Sequence, residues 1–286
     1  MLASHNSYKK SGPAIGRFFV GLGDSFDEAK ALNYGYKDIT EQLELGIRSF
    51  EFDLRDRDDH FELTHVPLVD ASSQAVRFDM LLDEMMLYSA HQENHMPIIV
   101  LIEVKNDWMV LDPKLKTIEE SHLQLLDQMI KDKLENRLYL PSDMKSSYDS
   151  IKDRIDDIGW PYIKDLYNQF IFVLHPGDYQ NLYYDMDQNL ESQSMFIGSY
   201  GSESYADYAS FFIQNDVDLD VIQKLVDDQF IVRTRIDSNL MFSKQRFEDA
   251  LLSRAQILTT DFSIGRSDLN LEDVIYLDDD EHMITS

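Results

Sequence analysis

The chain has 286 residues, 43% of them hydrophobic, with 26 Lys and Arg against 53 Asp and Glu and a formal net charge of −27. That apolar share excludes wholesale disorder, and the acidic excess excludes a nucleic-acid binder and bulk electrostatic attachment to anionic membranes. Cysteine is absent, which excludes disulfide scaffolds, thiolate zinc sites and cysteine nucleophiles.

In chain order, short apolar runs rich in β-formers alternate with longer amphipathic ones. A first strand ends near Ala3, and further strands are predicted at Ser49–Arg55, Pro97–Val104, Gln169–His175, Ser194–Ser199, Ser210–Asn215, Phe230–Ile236 and Gln256–Phe262. Helical patterns fall between them at Ile39–Leu45, Arg77–Gln92, Ile118–Leu134, Tyr162–Tyr167, Leu182–Leu190, Leu219–Asp228 and Ser243–Ser253. Ser146–Ser150 and Gly198–Ser204 read as loops, and Asp278–Glu281 as a solvated tail. Eight βα units predict an α/β fold, a closed (β/α)8 TIM barrel in one domain over residues 1–286, with its active site at the C-terminal ends of the strands. The first strand is short: three residues precede Ser4, where about five are typical. It is expected to be either truncated or a shortened, frayed strand.

Met1–Asn6 carries no charged region followed by an apolar one, and no apolar run approaches the roughly 18–20 residues that span a bilayer. A secreted or periplasmic protein is expected if the natural chain continues upstream, a cytoplasmic one otherwise. Phe18, Phe19 and Val20 are expected to pack under the first helix, an exposed apolar loop that inserts into lipid being the alternative. Met195, Phe196, Phe211 and Phe212 are expected in the core.

The chemistry begins at Ser49-Phe50-Glu51-Phe52-Asp53-Leu54. Side chains alternate along a strand, so Glu51 and Asp53 share one face and Phe50, Phe52 and Leu54 the other. In a barrel the apolar face packs under helices and the two carboxylates point inward; an amphipathic edge strand would show the same alternation. The next strand favours the barrel reading: in Pro97–Lys105, Ile99, Leu101, Glu103 and Lys105 share a face. Two consecutive strands that turn acidic at their C-terminal ends are what a hard-cation site on a barrel rim requires, with oxygen ligands that point to calcium or magnesium rather than zinc. A plain Glu103–Lys105 ion pair is the structural alternative. His5 follows the first strand, and His65 lies on a short return strand that starts near His60 after an Arg57-Asp58-Asp59 turn. Both are candidates for proton transfer near neutral pH. His91, His95, His122 and His282 read as structural, and His175, at a strand end, stays open. No Gly-x-Ser-x-Gly elbow surrounds Ser4 or Ser7.

This constellation resembles the phosphatidylinositol-specific phospholipase C barrel, in its calcium-dependent bacterial form. His5-Asn6-Ser7-Tyr8, Glu51-x-Asp53, His65 and Glu103 carry the resemblance, which continues through Leu43–Phe52, Gly159-Trp160-Pro161, Phe230–Arg235 and Thr259-Thr260-Asp261-Phe262. It implies His5 and His65 as paired catalytic histidines, and Asn6, Glu51, Asp53 and Glu103 as calcium ligands. It further implies Lys105 and one of Arg233 or Arg235 on the phosphate or inositol. The implied reaction cleaves phosphatidylinositol-type lipids to diacylglycerol and a cyclic inositol phosphate. The inositol 2-hydroxyl is the nucleophile, activated by calcium, with Glu51, Asp53 or Glu103 as general base. His5 would stabilise the phosphorane and His65 would protonate the leaving oxygen.

Two other readings use the same residues. A glycerophosphodiester phosphodiesterase shares the barrel, the Glu-x-Asp and the second histidine, but an arginine usually follows its first histidine where Asn6 stands here. A non-catalytic, acidic calcium-binding protein would need neither histidine. The expected partners are a phosphoinositide or glycerophosphodiester substrate and a membrane surface touched transiently, with no nucleic acid. The expected state is a monomer.

Overall fold

Strand parity builds the barrel wall. The computed structural model describes residues 1–10, 12, 17–18, 21–22, 25, 32, 35–238, 240–263, 275–277 and 283. Its strands are β1 (Leu2–Ser4), β2 (Ser49–Asp56), β3 (Phe61–Leu63), β4 (Ile98–Val104), β5 (Phe170–Leu174), β6 (Met195–Tyr200), β7 (Phe211–Ile213), β8 (Ile231–Arg235), β9 (Asp237–Ser238), β10 (Met241–Phe242) and β11 (Ile257–Thr260). Eight of them pair in parallel in the order β1-β2-β4-β5-β6-β7-β8-β11 and return to β1, closing a TIM barrel. The expected βα alternation is therefore met by a closed ring. Three residues suffice for β1, because it is clamped on both sides: Ala3 faces Thr259 of β11 and Ser49 of β2. β3 adds antiparallel to β2 beyond the barrel, as the Arg57–Asp59 turn implies.

The helices among the described residues are α1 (Ile39–Glu44), α2 (Phe78–His91), α3 (Glu120–Leu134), α4 (Pro141–Lys145), α5 (Ile151–Ile158), α6 (Gln180–Met186), α7 (Leu219–Asp227) and α8 (Lys244–Ser253). Phe50, Phe52 and Leu54 are buried on the outer wall, where Phe52 meets Phe78 of α2 edge-on with ring centroids 6.4 Å apart. Met195, Phe196, Phe211 and Phe212 are buried, as core residues should be. The barrel interior is filled by side chains such as Ile99, Leu101, Val173, Phe211 and Ile257, leaving a cavity of about 20 Å³. No helix among the described residues is long and apolar enough to cross a membrane.

Three local expectations change. Tyr162–Tyr167 forms only a 3-10 turn, Ile163–Leu166. Ser146–Ser150 is a loop as expected, but it leads into a helix that was not expected, α5, whose cap is Ser150: its Oγ accepts from the Asp153 backbone N–H at 3.0 Å. Phe18 is 53% exposed rather than packed under a helix; Phe19, Val20, His282 and the Asp278–Glu281 tail lie outside the described residues.

Candidate active site

The inward parity of β2 and β4 delivers three carboxylates to one place. Asp53 and Glu103 are paired in register, and Glu51, Asp53 and Glu103 present oxygens within 4.8 Å of one another. Two cations reach this cluster. Lys105 Nζ lies 3.0 Å from Glu103 Oε1 and 3.5 Å from Asp53 Oδ2, and Arg233 Nη2 donates to Glu51 Oε2 at 2.5 Å. Arg233 is buried, and also donates to Thr259 Oγ1 at 2.8 Å and to Asn215. It belongs to the barrel interior under the mouth, whereas Arg235, two residues on, sits beside His5.

These neighbours drive the carboxylates apart in acidity. Burial pushes Asp53 up to about 7, with Glu103 and Glu51 reinforcing it against Lys105 and His5. Burial would raise Glu51 as well, but Arg233, then His5, His175 and Arg235, hold it down at about 2. Lys105 is raised above its ordinary value: burial favours the neutral amine, yet Asp53 and Glu103 outweigh it.

The donor set fits a hard divalent cation. It is all oxygen, and Asp53, fully buried, has no hydrogen bond to either carboxylate oxygen, a cost that a metal would remove. Three carboxylates against two cations leave one negative charge, and a dication would turn the mouth positive, as an anionic phosphodiester requires. Asn6, buried at the end of β1 with φ of 49°, occupies a left-handed backbone position that asparagine tolerates. Its neighbour Ser7 pins the turn to β2: Ser7 N–H donates to the Glu51 carbonyl and Glu51 N–H to Ser7 Oγ, each at 3.0 Å.

Each histidine is held by a carboxylate that the sequence reading did not select. His5 Nδ1 lies 3.0 Å from Asp261 Oδ1, with Nε2 3.9 Å from Glu51 Oε1. A ring nitrogen facing a carboxylate carries its proton there, so Nε2 is the atom turned to the cluster. Asp261 N–H in turn donates to Asp237 Oδ1 at 3.0 Å, and Thr260 Oγ1 donates to the same carboxyl group. Burial and the adjacent Asp261 push Asp237 up to about 7. Asp261 itself stays below the usual range, because His5 and Arg235 overcome its burial. His65 Nδ1 lies 3.2 Å from Asp70 Oδ2. Its segment is braced by the fully buried Arg55, which donates to the carbonyls of Thr64, His65 and Asp107. Asp261 was visible only as part of a motif, 256 residues from His5, and Asp70 was not singled out, although it stands five residues after His65.

His175 also reaches the mouth. With Glu103, Asp178, Tyr179 and Tyr200 it lines a pocket of about 190 Å³ beside the carboxylates, and its ring meets Tyr200 edge-on at 6.1 Å. The other described histidines are structural. His95 is buried against Ser89 and the Met96 carbonyl. His91 contacts the carbonyl of Leu87 in its own helix. His122 Nδ1 accepts from the Glu119 backbone N–H at the start of α3.

A parallel barrel with clustered carboxylates and two carboxylate-held histidines at its C-terminal mouth is a barrel of the phospholipase C-like phosphodiesterase class. Residues 55–283 match the family model described as phosphoinositide phospholipase C, Ca2+-dependent, and the chain belongs to that family. His65, Glu103, Lys105, Arg233 and Arg235 lie within the match; His5, Asn6, Glu51 and Asp53 precede it. The solved Ca2+-dependent phosphatidylinositol-specific phospholipase C of Streptomyces antibioticus shares the fold with a TM-score of 0.66 at 16% identity, over 91% of this chain and 92% of that one. A calcium-dependent phosphoinositol-specific phospholipase C from a Gram-negative Pseudomonas species, solved in apo form and as a myoinositol complex, gives a TM-score of 0.66 at 15% identity, over 91% and 88%. No curated protein matches the sequence.

Proposed function

We propose that this protein is a calcium-dependent phosphodiesterase that cleaves phosphatidylinositol-type lipids to diacylglycerol and a cyclic inositol phosphate. The observation that carries the proposal is the placing of His5 between Asp261 and Glu51 at the edge of the buried carboxylate cluster. Glu51, Asp53 and Glu103, with Asn6, would hold the ion, which when bound supplies positive charge that acidifies an alcohol and neutralises a phosphodiester.

This chain's own groups do the rest. The inositol 2-oxygen attacks phosphorus, and the bond from phosphorus to the glycerol oxygen breaks. One of the clustered carboxylates, Glu51, Asp53 or Glu103, would take the hydroxyl proton as general base. His5 Nε2–H donates to a phosphoryl oxygen as charge builds there. His65 gives its proton to the departing glycerol oxygen. Lys105 and Arg235 add positive charge toward the phosphate, while Arg233 keeps Glu51 ionised.

The pocket beside Glu103 supports a polyol head group without further phosphates. Its lining combines Tyr179, Tyr200 and His175 with two carboxylates and no lysine or arginine. The rim supports a lipid surface: Phe18, Leu22, Leu68, Trp108, Val110, Met241 and Phe242 are exposed on segments that follow β1, β3, β4 and β8 at the mouth end. Single exposed apolar residues are ordinary; these are read as a lipid contact because the segments that carry them follow barrel strands at the mouth end.

The test is turnover of phosphatidylinositol in vesicles against glycerophosphocholine, each with calcium and with EDTA, following products by phosphorus NMR. Calcium-dependent formation of the cyclic phosphate is expected. Cleavage of glycerophosphocholine alone would assign the site to the glycerophosphodiester reaction instead. A Trp108→Ala, Val110→Ser double variant should lose several-fold activity on vesicles and keep its rate on monomeric short-chain lipid; equal losses on both would remove the rim from the proposal.

A further inference from the structure

Lys9 is fully buried, an arrangement that costs free energy unless the ammonium is paired. Its Nζ donates to the Leu32 carbonyl at 2.6 Å and lies 3.2 Å from Asp70 Oδ1. The other oxygen of Asp70 faces His65 Nδ1 at 3.2 Å. Asp70 is itself only 2% exposed, so Lys9 and Asp70 form a buried ion pair that ends at the part-exposed imidazole of His65. Gly12 closes it from outside: a side chain there would begin 3.2 Å from Asp70 Oδ1.

We propose that Lys9 is a positioning residue for His65, acting through Asp70. A neutral donor would suffice to orient a carboxylate. A full cation also fixes Asp70 as the ionised acceptor that keeps the proton on Nδ1 of His65 and leaves Nε2 to exchange protons with substrate. The same cation takes part of the field that Asp70 would otherwise exert on the imidazolium, so the ring releases its proton more readily. The charged groups facing His65 come from several elements. Asp70 lies on its own loop, Lys9 follows β1, and Arg55 of β2 binds its carbonyl and pairs with Asp107 beyond β4. Arg55 anchors the backbone; Lys9 is the cation whose partner touches the ring.

The role of the proton on His65 rests on the function proposed above, but the electrostatic claim is measurable without substrate. Removing a nearby cation raises every macroscopic pKa of a coupled acid pair. The titration midpoint of the His65 ring, followed by NMR in histidine-labelled protein and assigned with His65→Asn, should rise by about one pH unit in Lys9→Met. It should return in Lys9→Arg. An unmoved midpoint in Lys9→Met overturns the proposal. Should Lys9→Met not fold, Lys9→Gln carries the test: it keeps a donor and loses the charge, so the midpoint should rise in Lys9→Gln and hold in Lys9→Arg, and an unmoved value in Lys9→Gln is fatal. The alkaline limb of kcat on phosphatidylinositol should follow the midpoint. A midpoint that moves while that limb stays still upholds the tuning by Lys9 and removes His65 as the acid.

Discussion

The two histidines reach the same mouth by opposite routes. His5 leaves β1 and meets Asp261 at the end of β11, 256 residues away in sequence, so its geometry exists only when the barrel is closed. His65 meets Asp70 five residues later on the same loop and depends on Arg55 and Lys9 to hold that loop down. The charges behind them differ as well. Asp70 is backed by the Lys9 ammonium, Asp261 by the Asp237 carboxyl with Arg235 alongside. In the proposed reaction His65 gives a proton away and His5 keeps one as a donor.

The largest expected effects separate those roles. His5→Ala and His65→Ala should each lower kcat on phosphatidylinositol by roughly 10²–10⁴-fold. With a nitrophenyl ester, whose leaving group needs no proton, His65→Ala should recover most of its rate and His5→Ala should not. Equal losses on both esters would erase the distinction between the two arms.

Next in size is the difference in anchoring. Asp261→Asn should cost roughly 10–100-fold in kcat, as for other carboxylates that orient a histidine, with little change in stability. Arg55→Met should destabilise the fold by about 1–3 kcal/mol, because it strands buried carbonyls of Thr64 and His65. Denaturant unfolding and steady-state kinetics on both variants would show whether the loss falls on structure or on turnover.

Calcium binding supplies a third probe. Asp53, raised to about 7, must lose its proton to serve as a ligand. Apparent calcium affinity should therefore fall as pH drops below about 7, by up to about tenfold per unit for one coupled proton. Without calcium, the raised Asp53 contributes stability that is present at low pH and is lost as pH rises through about 7. Calorimetric titration at several pH values and apo melting curves would test the two signs; a pH-independent affinity would move the titrating group elsewhere. The smallest effect should come from Asp237→Asn. Asp237 is held near neutrality by burial and Asp261, so an amide there should leave kcat within a few-fold, measured beside Asp261→Asn.

Much of the cluster was readable before any fold was known. The alternation in Ser49–Leu54 and the apolar run that turns acidic at Glu103 required only the two-residue period of a strand, and both held in register. Lys105 followed by the same parity. For Arg233 and Arg235 parity failed as a guide, since both share a face. Depth separated them: the first is inside under Glu51, the second beside His5. Helix α5 escaped because Ser146–Ser150 reads as a loop, although Ser150, Asp153 and the Ile151/Ile155 spacing carried the signal of a capped amphipathic helix.

By itself, then, the sequence determined the βα alternation, the inward carboxylates and the two candidate histidines. These depend on local periodicity and on residue chemistry, which act over a few residues. Tertiary structure alone decided which acids hold the histidines, which arginine is buried, and that a lysine lies behind Asp70. Those pairings depend on side chains that converge only when β1 is clamped between β2 and β11 and the ring closes. In the low dielectric that closure creates, a charge a few ångströms away decides which carboxylate keeps its proton.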